Sequence, residues 1–176
     1  MKDDSVRRKK ISVVIPTYNE QENVGPMTEA VTKIMTQQLP QYDYEIIYID
    51  NHSKDMTRKE LREICAQNPN VKAIFNARNF GQLRSPVHGL KQAYGDCVIR
   101  LNADFQDPPE LIPRFVREWE KGSKIVIGVK SKTDEGRFMI IRGRFFSPKT
   151  IIRNLTGLRY CRYVAEISAP APKSRL

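Results

Sequence analysis

Between positions 101 and 110 the chain reads Leu101-Asn102-Ala103-Asp104-Phe105-Gln106-Asp107-Pro108-Pro109-Glu110, which brings carboxylates and carboxamides into one short stretch. Oxygen donors packed this way suit a hard divalent cation such as Mg²⁺ or Mn²⁺, which keeps some of its waters and shares its shell with substrate phosphates. The chemistry on offer is retention of a metal-bound diphosphate. Residues 96–102 read as a strand. Asp107-Pro108-Pro109-Glu110 then supplies an N-cap aspartate, a proline at the first helical position and a glutamate three residues past the cap. The donors therefore fall in a loop at a strand's carboxyl end, where open α/β sheets take their ligands. A capped turn without a ligand would use the same letters, so the other loops matter.

Two of them are polar in a matching way: Pro16-Thr17-Tyr18-Asn19-Glu20 follows the first apolar run, and Asp50-Asn51-His52-Ser53-Lys54-Asp55 follows the second. In a parallel sheet these loops and the one around Asp104 crowd a single rim. That rim suits a nucleotide. Asp50 can accept from a base N–H, Tyr18 can stack on the base or pack into the core, and Asp104 with a divalent ion can hold the diphosphate. Gln106 is either a ligand of the ion or a helix-entry residue. His52 and His88 lack a partner pattern and are not expected to bind metal.

The elements that must position these residues are legible as alternating runs. Residues 11–15, 44–50, 71–75, 96–102 and 124–129 are short, β-branched and bounded by turn residues, which predicts five strands. Between them, Val24, Met27, Val31, Ile34 and Leu39 recur at helical spacing, as do Leu61, Ile64 and Cys65, then Val87, Leu90 and Tyr94, then Leu111, Phe115 and Trp119. The alternation predicts an α/β fold: a mostly parallel, Rossmann-like sheet flanked by helices, with right-handed crossovers. Its expected extent is residues 11–130. Residues 131–168 form a basic amphipathic segment, read either as membrane-interfacial or as a packed tail, and residues 169–176 are expected to be disordered.

A chain of 176 residues with 40% hydrophobic content has room for one domain with a real core. Its net charge of +10 is concentrated at the ends: residues 1–10 carry +3, residues 130–176 carry +8, and the stretch between them carries −1. Basic ends around a neutral core fit an anionic membrane surface or plain solvation. A nucleic-acid partner is not expected, because no recognition-helix, zinc-spacing or RNA-binding signature is present. Cys65, Cys97 and Cys161 are an odd, widely spaced set and read as free thiols of a reducing compartment. The first apolar run stops at Pro16, too short for a signal peptide or a membrane span. Neither GxGxxG nor GxxxxGK[ST] occurs, which removes dinucleotide oxidoreductases and P-loop ATPases.

Ile11-Ser12-Val13-Val14-Ile15-Pro16-Thr17-Tyr18-Asn19-Glu20 resembles the opening motif of the family 2 glycosyltransferases, which have the GT-A fold. Ile49-Asp50-Asn51-His52-Ser53-Lys54-Asp55-Met56-Thr57 is similar to the family's second-strand motif, and Arg78-Asn79-Phe80-Gly81-Gln82 with His88-Gly89-Leu90 to its next loop and helix. Asn102-Ala103-Asp104-Phe105-Gln106-Asp107-Pro108-Pro109-Glu110 resembles the string Asp-Ala-Asp-Leu-Gln-Asp-Pro-Pro-Glu of the polyprenyl-phosphate branch, which includes dolichyl-phosphate mannose synthases and bactoprenol glucosyltransferases. The resemblance spans residues 11 to about 130.

The resemblance implies metal-assisted, inverting transfer of a sugar from a UDP- or GDP-sugar to undecaprenyl or dolichyl phosphate, on the cytoplasmic face of a membrane. The donor would be bound by Pro16, Tyr18, Asn19, Glu20, Asp50, Asn79, Gln82 and Asp104, and the metal by Asp104, Gln106 and Asn102. No catalytic residue is assigned, and the oligomeric state stays open, a homo-oligomer included. Three positions depart from the pattern. Asn102 and Asn51 stand where the family has aspartates, which weakens metal binding or ties it to the nucleotide. Pro86, after Ser85, either delays the third helix behind a serine cap or kinks it. The chain also ends where the family continues into acceptor-site residues. The alternative is an impaired or truncated remnant that binds nucleotide or membrane surface without turnover.

Overall fold

The computed structural model describes residues 7–123, 126–127 and 164–166. Strands β1 (Lys10–Thr17), β2 (Asp43–Asp50), β3 (Val71–Phe75), β4 (Cys97–Arg100), β5 (Val126–Ile127) and β6 (Val164–Glu166) form one sheet in the order β3-β2-β1-β4-β6-β5. Every described pairing is parallel. Helices α1 (Val24–Gln38), α2 (Thr57–Gln67), α3 (Gly81–Lys91) and α4 (Ile112–Glu120) connect the strands.

A central parallel strand is covered on both faces, so its residues read as an unbroken apolar run, and every residue from Ile11 to Ile15 is buried. Ile11, Val13 and Ile15 face the larger core with Tyr48, the α1 residues Met27 and Val31, Leu61 of α2, and Phe115 and Trp119 of α4. Val14, Ile47 and Val98 face the opposite side, where Leu90 and Ala93 close a smaller cluster. This face is where α3 comes down on the sheet, and Gly89 permits the approach: a Cβ there would lie 2.9 Å from Ile49 Cγ2 and 3.0 Å from Val14 Cγ1.

At the amino-terminal end of the sheet, Glu45 is buried beneath a polar knot. Its Oε1 accepts from Ser12 Oγ at 2.6 Å and from the Tyr94 N–H at 3.1 Å, and its Oε2 accepts from Lys72 Nζ at 2.7 Å. Lys10 Nζ stands 3.4 Å from the same carboxylate, and the Gly95 N–H donates to Ser12 Oγ at 2.8 Å. Gly95 is pressed against this knot. A Cβ there would sit 2.6 Å from both the Ser12 nitrogen and Ser12 Oγ. Backbone cannot yield as a side-chain tip does, so Gly95→Ala should destabilise the protein by about 3 kcal/mol, read as a lowered urea midpoint. An unchanged midpoint would show that the knot is slack.

The structure corrects four sequence expectations. First, β4 stops at Arg100 rather than 102, and of the fifth expected strand, 124–129, Val126–Ile127 is described. A sixth strand, Val164–Glu166, enters between β4 and β5. Second, Asp107 does not cap a helix. Pro109 holds Pro108 extended (ψ 121°), so the chain enters a 3-10 turn at Pro109–Leu111 before α4, and the buried Asp107 carboxylate accepts from Asn102 Nδ2 at 2.8 Å instead. Third, Tyr94 is 68% exposed because α3 ends at Lys91, and it does not extend the Leu90 stripe. Fourth, of the two readings at Pro86 the delayed start fails: Pro86 lies inside α3, and the buried Ser85 is no cap but accepts from Asn76 Nδ2 at 3.0 Å.

Cys65 and Cys97 are free thiols, and burial, with Asp96 adding to it, pushes Cys97 up to about 12. Cys161 lies outside the described residues, as do the tail 169–176 and all of the expected basic amphipathic segment 131–168 except Val164–Glu166.

Candidate functional site

The strand order reverses between β1 and β4, so the loops leaving their carboxyl ends part there and open a crevice. The loop after β2 flanks it on one side. Asp50 is in register with Thr17, and the Leu101 N–H bonds the Val14 carbonyl, so the ends of β2, β1 and β4 share one rim. Three non-glycine residues of the described chain have left-handed backbone, Asn19 (φ 58°), His52 (φ 69°) and Phe105 (φ 57°). One lies in each of these loops. Asparagine tolerates that region, whereas a histidine or phenylalanine persists there only when its surroundings enforce it.

The enforcement is visible for the first two loops. The Asn19 N–H donates to Ser53 Oγ at 2.8 Å and Asn19 Oδ1 accepts from the Lys54 N–H at 2.8 Å. The Glu20 N–H donates to Thr57 Oγ1 at 2.8 Å, and Gln21 Oε1 accepts from the Met56 N–H at 3.0 Å. Asp55 serves both sides, accepting from the Thr57 N–H at 3.0 Å and the Gln21 N–H at 3.3 Å. Burial pushes its carboxyl up, but hydrogen bonds from Thr57 and Gln21 more than offset this and hold it below the ordinary aspartate range.

Asp50 ends β2 with its carboxylate wholly buried. It accepts from the Ser53 N–H at 3.2 Å, and Arg58 Nε stands 3.3 Å away at an angle that leaves the Nε–H without a hydrogen bond. The acceptor expected for a base is thus already engaged within the protein. The role requires this wholly buried carboxylate to be uncovered, although its two oxygens retain acceptor capacity beyond Ser53 and Arg58. Its neighbour Asn51 uses both ends of its amide: Nδ2 donates to Asn79 Oδ1 at 2.8 Å, while Oδ1 accepts from the Phe80 N–H at 2.9 Å and Asn76 Nδ2 at 3.3 Å. Asn79 Oδ1 also accepts from the Gly81 N–H at 2.8 Å. A carboxylate at position 51 could accept from Phe80 and Asn76 but could not donate to Asn79 Oδ1, so the asparagine supplies one bond that an aspartate in the same place would not. Asn51→Ala should cost about 2 kcal/mol and speed amide exchange at Phe80 and Gly81; unchanged exchange at both amides would refute this role.

The remaining expected residues divide by exposure. Pro16 is half-buried in β1, while Tyr18 is 46% exposed, which disposes of the core-packing alternative for that ring. Glu20 accepts from Asn23 Nδ2 at 2.7 Å and helps start α1. Gln82 is exposed in the first turn of α3. Asp104 is exposed, with Oδ1 accepting from the Gln106 N–H at 3.1 Å, and Gln106 is exposed beside it. Because Asn102 Nδ2 is directed to Asp107, its Oδ1 is the end left to ligate. Among the described residues no group of three His, Cys, Asp or Glu could hold a metal by itself. One exposed carboxylate with nearby amide oxygens nonetheless fits an ion that takes most of its ligands from phosphate and water.

Comparison with known proteins decides the family. The model for glycosyl transferase family 2 matches residues 12–168. The chain belongs to that family. Its match continues past residue 130 and takes in the sixth strand. Curated relatives include an undecaprenyl-phosphate 4-deoxy-4-formamido-L-arabinose transferase of Pseudomonas fluorescens (strain SBW25), 38% identical over 73% of this chain and 37% of the relative. A bactoprenol glucosyl transferase of Shigella phage SfV is 35% identical over 73% of this chain and 41% of its own length. Among solved structures, a mannosyltransferase of Pyrobaculum calidifontis in complex with GDP-Man and Mn²⁺ superimposes with a TM-score of 0.56 at 23% identity, over 71% of this chain and 36% of that one. This likeness carries the GT-A fold. The chain spans about two fifths of the length of these relatives.

The resemblance read from the four motifs therefore holds at the level of family, branch and fold. What sequence reasoning misses is the stitching between loops: it gives Ser53, Thr57 and Asn76 no role of their own, and Ser85 only that of a helix cap. Clustered Asn, Ser and Thr after three successive strands was the available signal.

Proposed function

We propose that this chain is the donor-binding portion of a glycosyltransferase that moves a sugar from a UDP- or GDP-sugar to a polyprenyl phosphate, with inversion. The observation that supports this most is the meeting of the Tyr18, Asp50 and Asp104 loops at the β1–β4 switch point of a family 2 chain. Relatives named for undecaprenyl-phosphate and bactoprenol substrates support the acceptor class, and the mannosyltransferase complex supports a nucleotide-sugar donor with Mn²⁺. That the relatives are transferases favours turnover over a nucleotide-binding remnant.

In this reading Tyr18 lies against the base, Asn19 and Ser53 fix the turn beneath the ribose, and Asp104 with Asn102 would hold Mg²⁺ or Mn²⁺ beside the diphosphate. When bound, the ion offsets the negative charge that builds on the leaving group. The acceptor is a phosphate monoester with a second pKa of roughly 6, largely dianionic at neutral pH, so it attacks without a strong general base. Positioning is then the protein's main task.

The exposed apolar side chains support a rim that meets a membrane-embedded acceptor. Of the six large apolar side chains exposed among the described residues, Tyr18, Met56, Phe80, Leu83 and Phe105 lie at the carboxyl-terminal rim and only Tyr94 at the other end. No helix of the described residues is long and apolar enough to cross a membrane.

The test is transfer of label from UDP- and GDP-sugars to a short polyprenyl phosphate with Mn²⁺ present. The proposal expects a lipid-linked sugar. Nucleotide binding without transfer would instead support the remnant, and the absence of both would end the reading.

A further inference from the structure

Arg100 is the last residue of β4, two positions before Asn102 and four before Asp104. It pairs in register with Val14 of β1, the other strand of the switch point. Strand alternation puts it on the sheet face of Val98, beside Val14, at the carboxyl-terminal margin of the apolar cluster that Leu90 and Ala93 close. Its side chain is half-buried, and its Nε is shut off from solvent with no acceptor. Arg58 also has an Nε without a hydrogen bond, but that guanidinium lies 3.3 Å from the Asp50 carboxylate. No described carboxylate plays that part for Arg100.

A desolvated guanidinium N–H with nothing to donate to is an unfavourable element in a fold, and such a group calls for an explanation. The charges around it supply one. Of the four aspartates at the end of β2 and in the loops after β2 and β4, Asp50 is engaged by Ser53 and Arg58, Asp55 by the Thr57 and Gln21 amides and Asp107 by Asn102, while only Asp104 is exposed. One carboxylate and two amides hold a divalent ion weakly, and a diphosphate needs more positive charge than such an ion reliably brings. A guanidinium presents a planar fork matched to phosphate oxygens and stays charged at any working pH.

We infer that Arg100 binds the diphosphate of the donor directly, so that nucleotide binding at this rim depends only partly on the divalent ion. The inference rests on the transferase reading and adds to it a phosphate-binding residue outside the acidic loop.

The experiment is calorimetric titration of the full chain with UDP and GDP, in Mn²⁺ and separately in EDTA, for wild type, Arg100→Met and Arg100→Lys. Wild type is expected to retain measurable diphosphate affinity in EDTA. Arg100→Met should weaken it by about 10- to 100-fold, Arg100→Lys by less, and binding of uridine or guanosine should not change in either variant. Since methionine removes an unsatisfied buried donor, its melting temperature should stay at or above that of wild type, and the lysine variant keeps the test valid if it does not. Equal affinity of wild type and Arg100→Met in EDTA would overturn the inference and leave the transferase reading intact. Wild-type binding that vanishes completely without Mn²⁺ would overturn it as well. Failure of wild type to bind either nucleotide under any condition would instead remove the transferase reading, and Arg100's role with it.

Discussion

Replacing Asp104 by alanine should abolish the Mn²⁺-dependent part of nucleoside-diphosphate binding, a loss of roughly 100-fold or more in affinity, with stability within about 0.5 kcal/mol of wild type. The split follows from exposure. Asp104 is open to solvent and its one hydrogen bond within its loop is that from the Gln106 N–H, so little of the fold depends on it. Its carboxylate is the sole exposed acid among the residues expected to bind the ion. The neighbouring Asp107 should behave in the opposite way. It is 7% exposed and anchors Asn102, so Asp107→Ala leaves buried polar groups unmatched and should lower stability by about 2 kcal/mol. Titration calorimetry alongside urea unfolding separates the two aspartates. A large stability loss in Asp104→Ala would mean that this residue is structural.

The second large effect belongs to Glu45, far from the rim. Its side chain is 1% exposed and is met by Lys72, Lys10, Ser12 and the Tyr94 N–H. Glu45→Ala removes the only anion of this group and strands a buried hydroxyl and an amide, so it should destabilise the protein by about 3 kcal/mol. Burial alone raises the Glu45 carboxyl, but hydrogen bonds from Lys72, Ser12 and the Tyr94 N–H, with the charge of Lys10, bring it below the ordinary glutamate range. A carboxyl lowered in the folded state adds stability in full above its unfolded pKa of about 4.3. That increment disappears as pH falls through the lower folded value. Wild type should therefore lose its advantage over Glu45→Gln as the pH drops below about 4, measured as converging urea midpoints. Parallel curves across that range would contradict the assignment.

How much of this was legible in the sequence depends on whether the signal was local. The runs at Ile11–Ile15 and in β2 were readable because strands buried on both faces need unbroken β-branched stretches. Val164–Glu166 was not, since three residues carry no periodicity and their place beside β4 is set by pairing across the sheet. The start of α4 is not legible because two consecutive prolines satisfy the rule for a first helical position while the second forces the first to stay extended. Tyr94 matched a helical stripe by spacing, but the helix had already ended. The site divides in the same manner. Motif strings located the loops, whereas the contacts of Asn19 with Ser53 and Glu20 with Thr57 join positions 34 and 37 apart and become visible only once β1 and β2 lie side by side. The buried state of Asp50 has the same origin, because Arg58 reaches it from the helix that follows.

The most direct test of the central claim is paramagnetic mapping: backbone amide resonances of the ¹⁵N-labelled chain recorded with UDP or GDP while Mn²⁺ is added at a small fraction of the protein concentration. A donor site at the meeting of β1, β2 and β4 predicts selective broadening of Tyr18, Asn19, His52, Ser53 and the Asn102–Asp107 loop, with the Glu45 knot at the opposite end untouched. Broadening centred anywhere else on the sheet, or spread evenly over the acidic surface, would contradict the account.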